Sequence, residues 1–208
     1  MTHDLDVLPL TPERWPDLVE LFGVTGDPAW CWCTWQRVTG VAHGRPQAAA
    51  NRARLRGWAE EGPAPGLIAY RDGTPVGWVS VAPRATFPGI AGADADADDG
   101  VWAITCFVVA RSARRTGLTG RLLRAAVDHA RSRGARVLEG YPTEPSGRVG
   151  SAQLWTGVRS TFQAAGFDER GRFDRWSAVP AATGPTPRVI GRPPGRPVMR
   201  LDLDLDGP

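Results

Sequence analysis

Residues 101–110, VWAITCFVVA, form a nearly unbroken apolar run that breaks onto the turn RSARRTG and then an amphipathic stretch reaching Gly134. An uncharged run of that length suits a strand covered on both faces of a sheet. The stretch after the turn places Leu118, Leu122, Ala126, Val127 and Ala130 on one side and Arg121, Arg124, Asp128 and Arg131 elsewhere, which is helical periodicity. A buried strand feeding an amphipathic helix commits the chain to an α/β layer structure. The turn between them concentrates arginine and glycine where the helix begins. Such a turn offers unpaired backbone N–H groups and a positive helix dipole to an anion, most naturally a phosphate. Arginine adds charge-assisted bonds. An ordinary strand-to-helix turn also carries these residues, so the turn alone leaves both readings open.

Two common phosphate loops are excluded. The chain has no lysine, all 25 basic residues being arginine, so the lysine-bearing P-loop cannot be built. The Rossmann pattern needs three glycines where Gly117-Leu-Thr-Gly120 supplies two.

The remaining segments supply the rest of an α/β domain. HDLDVLPL alternates as a first strand, and Thr11 with Pro12 opens a helix carrying Trp15, Leu18, Val19 and Phe22 on one stripe. Residues 45–62 read as a second helix, and GLIAYRDGTPVGWVSVAPR as a hairpin turning at Asp72-Gly73. After the 101–134 unit come a strand in RVLEGYP, a helix over 151–166 ended by Gly166, and strands in RFDRWSAV and PVMRLDLDL. The alternating LDLDLD reads as an edge strand kept soluble by charge. The order is β-α-α-β-β-β-α-β-α-β-β, one domain over residues 1–208. An acidic, small-residue loop at 89–100 reads as mobile, and a Pro/Gly-rich connection at 180–197 as either mobile or packed on a neighbouring chain, as in a homodimer.

Composition narrows the function classes. The net charge of +3, with bases interleaved among acids, gives no reason to expect a nucleic-acid partner. No apolar run approaches the roughly 18–20 residues of a membrane span. The N-terminus has acids where a signal peptide carries bases, so a cytoplasmic protein is expected. Three cysteines, an odd number, read as free thiols. The Cys31-x-Cys33 spacing is a poor zinc signal and no metal is expected.

Arg114-Arg115-Thr116-Gly117-Leu118-Thr119, following a strand that ends Phe107-Val108-Val109, resembles the Arg/Gln-x-x-Gly-x-Gly/Ala motif of the GNAT superfamily of acyl-CoA N-acyltransferases. The later FQAAGF, residues 162–167, resembles that family's helix-four ending, and the element order is similar over most of the chain. The resemblance implies a mixed, mostly antiparallel sheet of about seven strands flanked by four helices. It implies acetyl-CoA as donor and a small-molecule amine as acceptor. The backbone matching Phe107 and Val109, flanking Val108, would bond the pantetheine arm, and that from Arg115 to Gly120 would cradle the pyrophosphate beside Arg114. Thr119 departs from the motif's usual Gly or Ala.

Acyl transfer needs a neutral amine and a proton for the leaving thiolate. The resemblance places a base on the strand face that here shows Ala103 and Thr105, and an acid at Phe162; none of these can serve as base or acid. Substitutes would be Tyr141 as acid, Glu139 as base on the same strand face, and Thr105 orienting water. Each also has a plain reading, as a solvated strand-end aromatic or a salt-bridged carboxylate. Alternation turns Cys106 to the face opposite Thr105, where it would pack in the core. PAWCWCTWQRV clusters Trp30, Trp32 and Trp35, either as an aromatic wall for an apolar, aromatic or cationic acceptor or as cement for the helix corner. The competing reading of the whole chain is an idle acyl-CoA sensor of the same fold.

Overall fold

The computed structural model describes residues 5–23, 27–38, 45–91, 100–145, 147, 149–150, 153–173 and 195–203. A seven-stranded sheet organises them: β1 (Leu5–Pro9), β2 (Gly66–Arg71), β3 (Thr74–Pro83), β4 (Val101–Val109), β5 (Val137–Gly140), β6 (Asp168–Phe173) and β7 (Arg196–Asp202). Their order across the sheet is β1-β2-β3-β4-β5-β7-β6. Only β4 and β5 run parallel, because the helix α5 (Leu118–Ser132) crosses between them; every other pair is antiparallel. The remaining helices are α1 (Trp15–Phe22), α2 (Asp27–Cys31), α3 (Ala48–Glu61), the single turn α4 (Pro88–Ala91) and α6 (Arg159–Ala164).

The apolar stripe read from the sequence is what seats α5. Leu118, Leu122, Leu123, Ala126 and Ala130 are buried against Val79, Val81, Ile104 and Phe107 of the sheet, with Phe162 and Phe167 in the same core. The opposite sheet face carries α1 and α3, whose Leu18, Phe22 and Leu55 bury Trp78 and Ile68. β4 is therefore covered on both sides, as its unbroken apolar run requires. The hairpin between β2 and β3 turns at Asp72 and Gly73, both with positive φ (50° and 77°), the geometry that Asp-Gly turns favour.

Three expectations need correction. The helix expected over 151–166 is confined to Arg159–Ala164 among the described residues. Gly157, at φ 79°, breaks it: a Cβ there would lie 3.0 Å from the Phe162 ring and 3.2 Å from that of Phe107. Leu154 therefore lies in a turn rather than on a helix, and Val158 is only the residue before the first turn. The strand containing LDLDLD is not an edge. β7 lies between β5 and β6, the edge on that side is β6, and residues 204–206 lie outside the described residues. The strand expected in RFDRWSAV starts earlier, at Asp168, and its residues 174–179 lie outside the described residues. Of the loop expected at 89–100, residues 89–91 belong to α4 and 92–99 lie outside the described residues; of the connection expected at 180–197, 180–194 lie outside them and Arg196 and Pro197 open β7.

Candidate active site

The site is built where β4 loses its regular register. Ser80 of β3 pairs with Cys106 and Val81 with Ile104, which leaves Thr105 as an extra residue in β4. A bulge of this kind shifts side-chain alternation by one. Cys106 consequently joins Thr105 on the α1 face instead of opposing it, which corrects the expectation from strict alternation. Thr105 Oγ1 donates to Ser80 Oγ at 3.1 Å, and the Cys33 thiol lies 3.0 Å from Cys106 Sγ, both buried. Burial pushes the Cys33 thiol well above its ordinary pKa, so it stays protonated.

Beyond the bulge, β4 and β5 part, and a groove of about 2090 Å³ opens beside Thr105, Cys106, Phe107 and Val108. That exceeds the roughly 300–1,000 Å³ of a pocket for one small ligand. One end of the groove is the start of α5. Arg115 (φ 61°) and Gly117 (φ 75°) both take left-handed backbone, and the first helical bond is Arg121 N–H to the Gly117 carbonyl, 3.3 Å. The amides of Leu118, Thr119 and Gly120 precede that bond, so the helix supplies them no acceptor. Gly117, Thr119 and Gly120 line the groove with Arg111, Arg114, Arg115 and Arg124. A Cβ on Gly117 would meet nothing within 4 Å, and one on Gly120 only Arg124 Nη1 at 3.8 Å. Bare amides, a helix dipole and four guanidiniums fit a pyrophosphate. Thr116 faces the other way: its hydroxyl donates to the Ala113 carbonyl at 2.8 Å and accepts from Arg71.

The other end of the groove carries the tryptophans, divided by backbone geometry. Trp32 and Cys33 both adopt positive φ (46° and 51°), reversing the chain directly after α2. Trp30 and Trp35 are left on the groove wall with Cys31 and Gln36. Trp32 turns inward, 4% exposed, stacked 5.6 Å from Trp15 and tilted against Phe22, its Nε1 donating to the Ala29 carbonyl. It therefore cements the corner instead of forming part of the wall. Two residues that sequence reasoning missed also line the groove, Trp155 and Arg196. Both are brought in by long-range packing that no local pattern announces.

Tyr141 and Glu139 do share a strand face, but they are not among the groove's lining residues. Tyr141, 2% exposed, packs with Ala103, Phe87 and Ile90 and donates its hydroxyl to Glu139 Oε2 at 2.8 Å. Glu139 is also paired with Arg84 (3.2 Å) and Arg200 (3.6 Å). Burial, then the Glu139 charge, raises the phenol well above its ordinary pKa. A phenol so held is a poor acid, and the expectation that Tyr141 and Glu139 serve as acid and base gives way to a structural pair. Tyr141→Phe is expected to leave kcat within about threefold and to lower stability by about 1–3 kcal/mol, the cost of depriving a buried carboxylate of a donor. Urea unfolding and steady-state rates on one preparation check both halves. Phe162 is fully buried edge-on to Phe107 and Phe167, so it too is core.

One contact bears on the pantetheine expectation. The Phe107 amide donates to the Trp155 carbonyl at 2.6 Å, and the Val109 carbonyl accepts from Arg114 Nε at 3.4 Å. A pantetheine arm bonded to Phe107 would have to displace the Trp155 carbonyl.

The sequence over residues 28–155 matches the acetyltransferase (GNAT) family. The chain belongs to the GNAT family. That family uses acetyl-CoA. Solved structures with this fold include a GCN5-related N-acetyltransferase from Kribbella flavida, 19% identical, with 96% of this chain and 98% of that one covered at a TM-score of 0.55. A Drosophila melanogaster polyamine N-acetyltransferase that forms N-acetylagmatine is 15% identical, with 96% and 100% covered at 0.56. A Salmonella typhimurium structure holding its cofactor acetyl-CoA is 17% identical, with 96% and 94% covered at 0.52. At these identities the likeness shows the GNAT fold. No curated protein matches the chain by sequence. No described helix is long and apolar enough to cross a membrane, and no cluster of possible metal ligands occurs among the described residues.

Proposed function

We propose that this GNAT protein transfers an acetyl group from acetyl-CoA to the amine of a small acceptor, both bound at once in the groove. The observation that carries the reading is that the α5 phosphate cradle and the tryptophan wall open on one cavity, with the β4 bulge between them. Acetyl-CoA supplies the acyl group already activated as a thioester. The amides of Leu118 to Gly120, with Arg111, Arg114, Arg115 and Arg124, hold its phosphates. The Phe107 amide, once released from the Trp155 carbonyl, is positioned to donate along β4. Thr105, Cys106 and Val108 form the floor, and Trp30 and Trp35 hold the acceptor against it.

Among the described residues the lining has no Asp, Glu, His or Tyr. The chain's contribution is then chiefly positional, holding two reactants in line. The missing acid and base also favour a second reading, an acyl-CoA-binding protein without turnover. Acetyl-CoA with a panel of aliphatic, aromatic and amino-acid amines, followed by product mass, separates the two. A product 42 Da heavier than its amine (roughly one acetyl group, with turnover far above the uncatalysed rate) is expected. CoA-dependent thermal stabilisation with no product from any amine would favour the second reading.

A further inference from the structure

Arg196 lines the same groove as Trp30 and Trp35 and brings a positive charge to it from outside the α5 cradle. Arg196 opens β7, on the far side of β5 from the α5 cradle. Its strand neighbour Val198 packs with Ala103 and Tyr141, and alternation puts Arg196 on that same sheet face, the face of Thr105 and Cys106. The guanidinium's partners include two neutral hydroxyls: Nη1 donates to Thr143 Oγ1 at 2.8 Å and to Thr156 Oγ1 at 2.5 Å. The guanidinium also lies 5.6 Å from the centroid of the Trp155 ring. Partial burial lowers its pKa, although it stays a cation.

A cationic acceptor, one of the options the tryptophans alone allowed, meets the wrong partners here. No Asp or Glu lines the groove among the described residues, while Arg196 does, already stacked on one of the aromatic faces. A second ammonium would find repulsion in place of a counter-charge. A carboxylate suits the same spot, because arginine binds it with paired, charge-assisted bonds. We infer that the acceptor is an amino acid or similar small amine bearing a carboxylate, with an apolar or aromatic body, and that Arg196 grips the carboxylate while Trp30, Trp35 and Trp155 enclose the body. This rests on the acetyltransferase reading above and names its substrate class.

The test compares acetylation of phenylalanine, its methyl ester, phenethylamine and cadaverine by the full chain, with rates expressed per neutral amine so that differing amine pKa values do not enter. The expected kcat/KM for phenylalanine is about 10- to 100-fold above that for phenethylamine, the effect of one charged contact. Arg196→Leu is expected to erase the preference by lowering kcat/KM for phenylalanine toward that for phenethylamine, while CoA still stabilises the variant against heat. Arg196→Lys keeps the charge without the planar fork and should retain part of the preference. Phenethylamine or cadaverine matching phenylalanine in the parent protein would overturn the inference. So would an equal loss on every amine in Arg196→Leu, which would make Arg196 structural only, or no product from any of the four while CoA still stabilises the chain. Absence of stabilisation by CoA would instead overturn the acetyltransferase reading itself.

Discussion

Gly120→Glu is expected to abolish CoA binding while making the free protein slightly more stable. The two effects have separate causes at one position. Gly120 lies in the first turn of α5, where glycine costs about 1 kcal/mol relative to ordinary helix formers. A glutamate there also complements the helix dipole. Its Cβ would meet only Arg124 Nη1, at 3.8 Å, so the side chain has room and an i,i+4 partner. The same carboxylate would point into the phosphate cradle. Repulsion at about 4 Å in a partly exposed site is on the order of 4 kcal/mol. The new ion pair would also draw Arg124 away from the ligand. An affinity loss of at least about a hundredfold follows, since each 1.4 kcal/mol is roughly tenfold. Thermal unfolding with and without CoA reads both signs. Gly120→Ala is the control, expected to share the stability gain and keep most of the affinity. If Gly120→Glu is still stabilised by CoA as the parent is, the pyrophosphate does not lie at the start of α5.

The fold, and the backbone geometry of one half of the candidate site, were legible in the sequence because both are written in local patterns. The stripe Leu118-Leu122-Ala126-Ala130 and the run VWAITCFVVA each prescribe a neighbour, and burial delivers it. The cradle was legible because glycine and arginine at a helix start act through backbone that the local sequence controls. The other half depended on features without a local signature. One extra residue at Thr105 turned Cys106 through the sheet, and nothing in WAITCFV marks where register slips. Consecutive left-handed residues at Trp32 and Cys33 divided three similar tryptophans into one core residue and two wall residues. Gly157 shortened α6 because its hydrogen sits between two phenyl rings, a constraint imposed from β4 and α6 together. Arg196 reached the groove through the order in which β7 joins the sheet, and Trp155 through the turn whose carbonyl bonds the Phe107 amide.

The acetyl-transfer rate is expected to follow the titration of the acceptor's own amine, with no bend belonging to the protein between pH 6 and pH 8. An amine attacks only when neutral, and an enzyme usually removes the proton with a group titrating near neutrality. Here the described lining offers only arginines and the thiols of Cys31, Cys33 and Cys106, and burial holds the Cys33 thiol protonated. The half-buried His129 is remote, near the end of α5, and burial, then Arg133, lowers its pKa. The proton must then leave to water before attack. Below the amine's pKa the neutral fraction rises tenfold per pH unit, so kcat/KM rises with the same slope. A dipeptide reacting through its α-amine, titrating near 7.7–8.0, should level off just above that range, whereas an alkyl amine titrating near 10.4 should still be climbing at pH 9. Profiles for two such acceptors should superimpose once plotted against neutral amine. Profiles that share one bend near pH 6–7 whatever the acceptor would show a base supplied by the chain, from residues outside the described set. Superposition would instead mean that this protein contributes by holding the two reactants together, with no titrating group of its own in the reaction.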